Sequence, residues 1–141
     1  MSEIIKGIEF SDANELTCDV CGKNLHEDPD SANVVMIENK DNTHLDEVYI
    51  VCKGKCDDRV KPSFRSEKTD GWFDLNELYN PYIFYRKLMA IIYRMQNSPG
   101  YFSDKAYEKL MSIISVTYQY IARKATEEEK HRDEVLQQFP F

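Results

Sequence analysis

The chain has 141 residues, 42% apolar and 12% aromatic, enough for one ordinary domain or for a metal-stapled module beside a modest helical core, and too apolar for a disordered chain. Its net charge of −7 is unevenly placed: residues 1–60 hold 14 acidic and 6 basic side chains, residues 61–141 hold 11 acidic and 12 basic. An acidic first half argues against contact with a phosphate backbone, and the longest greasy stretch, residues 82–95, is broken by Arg86, Lys87 and Arg94 and does not read as a membrane span.

The opening MSEIIKGIEF has no apolar run of the kind an export signal needs, so a reducing, cytoplasmic setting is expected. Residues 4–10 suggest a short strand, weakened by Gly7. The stretch LTCDVCGKNL then sets Cys18 and Cys21 two residues apart, with Gly22 next. C-x2-C is the spacing of a redox dithiol and also of two thiolates that grip one tetrahedral ion from the same side, and a second pair at metal spacing favours the ion. Gly22 can take the positive φ that turns backbone N–H groups toward the sulfurs.

Residues 26–33 form a polar loop bent at Pro29, and strands are expected at Val34–Glu38 and Leu45–Val51, joined by the polar residues 39–44. That hairpin returns Cys52 and Cys56 to the first pair, with Gly54 marking a second tight turn. Alternatively, Cys52 and Cys56 stand one helical turn apart on one face. Either way, Cys18, Cys21, Cys52 and Cys56 predict one structural Zn2+ in a closed thiolate shell. His26 and His44 lie nearby but are not needed by a set already full at four.

Residues 62–73 read as a linker between Pro62 and Phe73, with Trp72 expected to pack inward. A helix is signalled from Asp74 or Leu75, or else from Asn80 with Pro81 in its first turn. It carries Ile83, Tyr85, Leu88, Met89, Ile91, Ile92 and Met95 and stops at Asn97–Gly100. Ser103 caps a second helix, striped by Tyr107, Leu110, Met111, Ile114, Tyr118 and Ile121. The pair predicts an antiparallel helical hairpin in which each helix buries the other's apolar face. Residues 126–138 read as a solvated helix end and 139–141, FPF, as an apolar tail. Two helices cannot enclose so many rings, which predicts cover by the metal module, by a second copy or by a partner protein.

Cys18-Asp-Val-Cys21-Gly22, followed later by Cys52, resembles the knuckles of the zinc-ribbon and treble-clef class, over residues 16–60 only. Proteins of that class include transcription and translation factors, adapters and structural appendages. The C-x3-C second pair departs from the usual C-x2-C, and Pro62 leaves little room for a treble-clef helix, which favours the ribbon.

The expected fold is therefore α+β: a zinc-ribbon-like β-hairpin module over residues 1–61, a linker over 62–73, a helical hairpin over 74–138 and the tail. A shell closed by four thiolates has no open position for water or substrate. The sequence also lacks HExxH, a Gly-rich phosphate loop and a deaminase pattern. The expected function is thus non-enzymatic: a zinc-stabilised interaction or adapter protein that binds another protein or itself. The alternative is a nucleic-acid-associated regulator using Arg86, Lys87, Arg94, Arg123 and Lys124. Asp57 and Asp58 are expected to be solvated, and Glu127 with His131 to form a helix-surface pair in place of a second metal site.

Overall fold

The computed structural model describes residues 16–62, 67–122 and 126–136, together with two short antiparallel strands, β1 (Ile4–Ile5) and β2 (Ile8–Glu9). Strands β3 (Ala32–Asn39), β4 (Leu45–Cys52) and β5 (Lys68–Asp74) form an antiparallel sheet in the order β4-β3-β5. Helices α1 (Asp57–Val60), α2 (Pro81–Asn97), α3 (Asp104–Ala122) and α4 (Glu127–Leu136) complete an α+β architecture.

Successive strand residues point to opposite faces, and Val34 and Val35 on β3 are both fully buried. The central strand is therefore covered on both sides. The β3–β4 turn is fastened by Asn39, whose side-chain oxygen accepts the N–H groups of Thr43 and His44 at 2.9 Å each, while Asn42 takes the left-handed conformation at φ 57°. The register brings Cys52 opposite Ala32, so the hairpin ends beside the residues that follow the first cysteine pair.

Residues 62–73 are not simply a linker. Lys68–Asp74 pairs along β3 from Asn39↔Lys68 to Asn33↔Asp74. The sequence KTDGWFD lacks the apolar alternation of a strand because β5 is an exposed edge, held by the ladder that β3 offers it. Trp72, expected to pack inward, is 57% exposed on this edge, with the Lys61 ammonium 4.7 Å from its ring centroid.

A 3-10 turn over Leu75–Tyr79 buries Leu75 and Leu78 and leads into α2. Pro81 occupies the first turn of α2, and the Asn80 side chain accepts the N–H groups of Tyr82 and Ile83 at 3.0 and 3.4 Å. Asn80→Ala removes this cap and is expected to cost about 1 kcal/mol, read as a lowered urea midpoint with an unchanged slope.

The turn between α2 and α3 is anchored to the sheet. The Leu45 N–H donates to the Tyr101 carbonyl at 2.6 Å, the Ser103 N–H to the Leu45 carbonyl at 2.9 Å, and the Ser103 hydroxyl to the Asp46 carbonyl at 2.7 Å. Ser103 also caps α3, accepting the Ala106 N–H at 3.0 Å. Tyr79, just before α2, meets Tyr120, near the end of α3, edge to face at 4.8 Å, so the two helices run antiparallel.

Their apolar faces are nevertheless not spent mainly on each other. α3 lies along β4 and buries Ala106, Leu110, Ile113, Ile114 and Val116, whereas α2 rests on the 3-10 turn and buries only Phe84. Leu16 and Leu25 from the cysteine loop join the sheet, the 3-10 turn and α3 in one apolar core.

At α4, Thr126 and Glu129 form a reciprocal capping box: Glu129 N–H donates to Thr126 Oγ1 at 3.1 Å and Thr126 N–H to Glu129 Oε1 at 3.3 Å. Glu127, Glu128, His131 and Arg132 are exposed, as a solvated end requires. Phe64, Arg123, Lys124 and the 139–141 tail lie outside the described residues. Among the described residues, no helix is long and apolar enough to cross a membrane.

Candidate metal centre

The first cysteine pair sits in a tight loop closed by its own backbone. The Cys18 N–H donates to the Lys23 carbonyl at 2.8 Å, the Gly22 N–H returns to the Cys18 carbonyl at 3.0 Å, and Thr17 bridges Asn24. Gly22 adopts φ +80°, where a β-carbon would be strained. That conformation lets the Val20 and Cys21 N–H groups point at the Cys18 sulfur, at 3.4 and 3.5 Å.

The second pair spans a change of structure. Cys52 ends β4, Gly54 turns the chain at φ +83°, and Cys56 precedes the first residue of α1. The two are therefore not ligands from a single helical turn.

All four cysteines are free, and their sulfurs lie within 4.8 Å of one another. The Cys21 and Cys52 sulfurs are 3.7 Å apart. That is far beyond a disulfide bond, about 2.0 Å, and matches the roughly 3.8 Å edge of a tetrahedron with 2.3 Å metal–sulfur bonds. Cys18 and Cys56 are buried, Cys52 is half-buried and Cys21 is exposed. The quartet can hold one metal ion.

No family model, curated protein or solved structure matches this chain. What the site does must therefore be read from its own atoms.

The thiols are not equivalent. Burial alone would raise the Cys18 pKa, but the N–H groups of Cys21, Cys52 and Val20 outweigh it and bring the value down to about 6. Burial, reinforced by Cys21 and Cys18 beside it, pushes Cys52 up to about 12, and Cys56 is raised for the same reasons. Negative charge on Cys18 therefore works against ionisation of Cys52 and Cys56. A divalent cation removes that conflict, because its charge deprotonates every thiol it coordinates.

Two supports around the quartet are not announced by cysteine spacing. Asp19, between the first two ligands, accepts the Ile50 N–H at 2.9 Å with one oxygen and the Lys109 ammonium at 2.7 Å with the other. This single side chain ties the first cysteine loop to β4 and to α3. The only sequence hint was an acidic residue inside C-x2-C, with no clue to a lysine 90 positions away.

Asp57 is the second support, and here the expectation of a solvated carboxylate fails. It is 5% exposed and accepts the Asn33 amide at 3.0 Å, because opening α1 directly after Cys56 turns it inward against β3. Asp58, next along, is exposed as expected.

The histidines belong elsewhere. His26 Nδ1 is 3.0 Å from the Tyr79 hydroxyl, and His44 Nδ1 is 3.0 Å from the Thr43 hydroxyl in the β3–β4 turn. Of the basic residues proposed for a nucleic-acid patch, Lys87 lies 4.3 Å over the Phe73 ring and Arg94 4.0 Å over the Tyr101 ring, while Arg86 lies 6.0 Å over Tyr82.

Proposed function

We propose that this chain is a non-enzymatic interaction protein in which Cys18, Cys21, Cys52 and Cys56 hold one structural Zn2+ and α2 presents the binding face for a partner protein. An all-thiolate tetrahedron suits zinc or iron, and a single closed shell with no open position suits a structural zinc. The order of loop, hairpin and second cysteine pair resembles a zinc ribbon. The four residues of α1 fall short of the helix a treble clef carries.

The observation that carries the interaction reading is the outer face of α2. Tyr82 (70%), Tyr85 (56%), Met89 (68%), Ile92 (58%) and Tyr93 (69%) are all exposed. At spacings of three and four they line one side of the helix. A contiguous apolar face of this kind marks an interaction site on a soluble protein, and helical anchors at i, i+3, i+7 fit a helix-in-groove or helix-on-helix partner. α2 has Arg86, Lys87 and Arg94 and no carboxylate, so charge complementarity favours a partner whose apolar surface is edged by Asp or Glu. The nucleic-acid reading has less support, since Lys87 and Arg94 turn onto rings of the protein's own body.

A photo-crosslinking residue at position 85 is expected to trap a distinct polypeptide, and one at Lys40, in the β3–β4 turn, is not. Met89→Asp combined with Ile92→Asp should weaken that association at least tenfold while shifting stability by only about 0.5 kcal/mol. Equal crosslinking at both positions, or none at position 85, would contradict the reading.

A further inference from the structure

A second, unrelated site lies on the inner side of α2. There the helix, β3, β5 and α3 enclose a cavity of about 170 Å³. Its wall is apolar, formed by side chains such as Met36, Phe73, Ile91, Leu110 and Ile114. An apolar cavity of about 150 Å³ is large enough to take up one benzene ring.

Among the described residues, the charged groups lining this space are Lys87 and Arg94, seven residues apart and so on the same side of α2. Each cation sits over an aromatic face, Lys87 over Phe73 and Arg94 over Tyr101. Stacking of that kind engages the charge and leaves most of the N–H donors free. Neither forms an ion pair with a carboxylate among the described residues, in a chain of net charge −7. Glu38, which accepts the Tyr101 hydroxyl at 2.6 Å, is not among the residues lining the space. Ala90 and Arg94 are exposed, so the cavity reaches solvent along this edge of the helix.

We propose that this cavity binds a small organic anion: one carboxylate carried on a single ring or a short branched chain. The apolar body would fill the space between Ile91, Leu110 and Phe73, and the carboxylate would meet Lys87 and Arg94 at the mouth. An inorganic anion leaves the apolar wall unused, and a neutral ring leaves the two cations unanswered.

The test uses the full chain as purified, titrated by calorimetry with 3-phenylpropionate and, separately, with 3-phenylpropan-1-ol, which has the same ring and chain without the charge. Saturable one-to-one binding of the carboxylate is expected, about tenfold tighter than the alcohol, the margin a charge-assisted contact supplies. The preference should disappear in the Lys87→Gln, Arg94→Gln double variant. Ala90→Trp places an indole at the mouth from an exposed position and should weaken the carboxylate at least tenfold. Circular dichroism of each variant reports the fold separately, and the charge variant keeps the test decisive if the tryptophan variant misfolds. Equal affinity for acid and alcohol, or no binding of either at millimolar concentration, overturns the proposal. Neither result depends on the outer face of α2.

Discussion

Cys56→Ser protein is expected to lose its metal and most of its folded population. Structural zinc binding by thiolates contributes on the order of 10–16 kcal/mol, while an entire domain is stable by only about 5–15 kcal/mol. Losing even a third of the first figure exhausts much of the second. Cys56 is the sharpest place to look because it is 6% exposed and stands immediately before α1. Cys21→Ser makes the internal control: that sulfur is exposed, so water can take its place and the loss should be smaller. Metal content per chain and the unfolding midpoint, measured on both variants, check the ordering. Equal effects, or a Cys56→Ser protein that keeps one metal and its midpoint, would contradict it.

Leu78→Ala carries the second large effect, and it asks whether the sheet and the helices unfold together. Leu78 is 1% exposed on the 3-10 turn and joins the core shared by β3, β4 and α3. It also lines the cavity under α2, so the truncation enlarges an existing void that rigid strands cannot collapse. Such a change costs about 2–5 kcal/mol, a fall in melting temperature of roughly 10 °C. A single cooperative transition, lowered alike by Leu78→Ala and by chelation of the metal, is the expected outcome. Two separate transitions, only one of which responds to chelation, would show that the cysteine module and the helices fold independently.

The parts of this fold that could be read from sequence were those governed by local chemistry. The two cysteine pairs, Gly22 and Gly54 declared loops that bring four sulfurs together, because ligand spacing and positive φ constrain residues only a few positions apart. Ser103 declared the start of α3 for the same reason, whereas α2 had two candidate starts, and the one at Asp74–Leu75 is a 3-10 turn while Asn80 with Pro81 opens the helix. What could not be read was which apolar surface meets which. The periodicity of α2 resembles that of α3, yet α3 lies on β4 while Tyr85, Met89 and Ile92 face outward. A stripe records that a face is apolar and says nothing of what covers it. β5 was concealed by Asp70 and Gly71, which an edge strand tolerates. The Asp19–Lys109 and Asn33–Asp57 contacts join residues distant in the chain, and no local rule pairs them.

The metal centre underlies the rest of this account, and cobalt substitution tests it most directly. Chain refolded with excess Co2+ is predicted to take up one ion per molecule and to show intense thiolate-to-metal absorption with the d–d bands of a tetrahedral site, both displaced by stoichiometric Zn2+. Binding of no ion, an octahedral spectrum without thiolate absorption, or a chain whose four cysteines remain freely reactive in the presence of metal would contradict it.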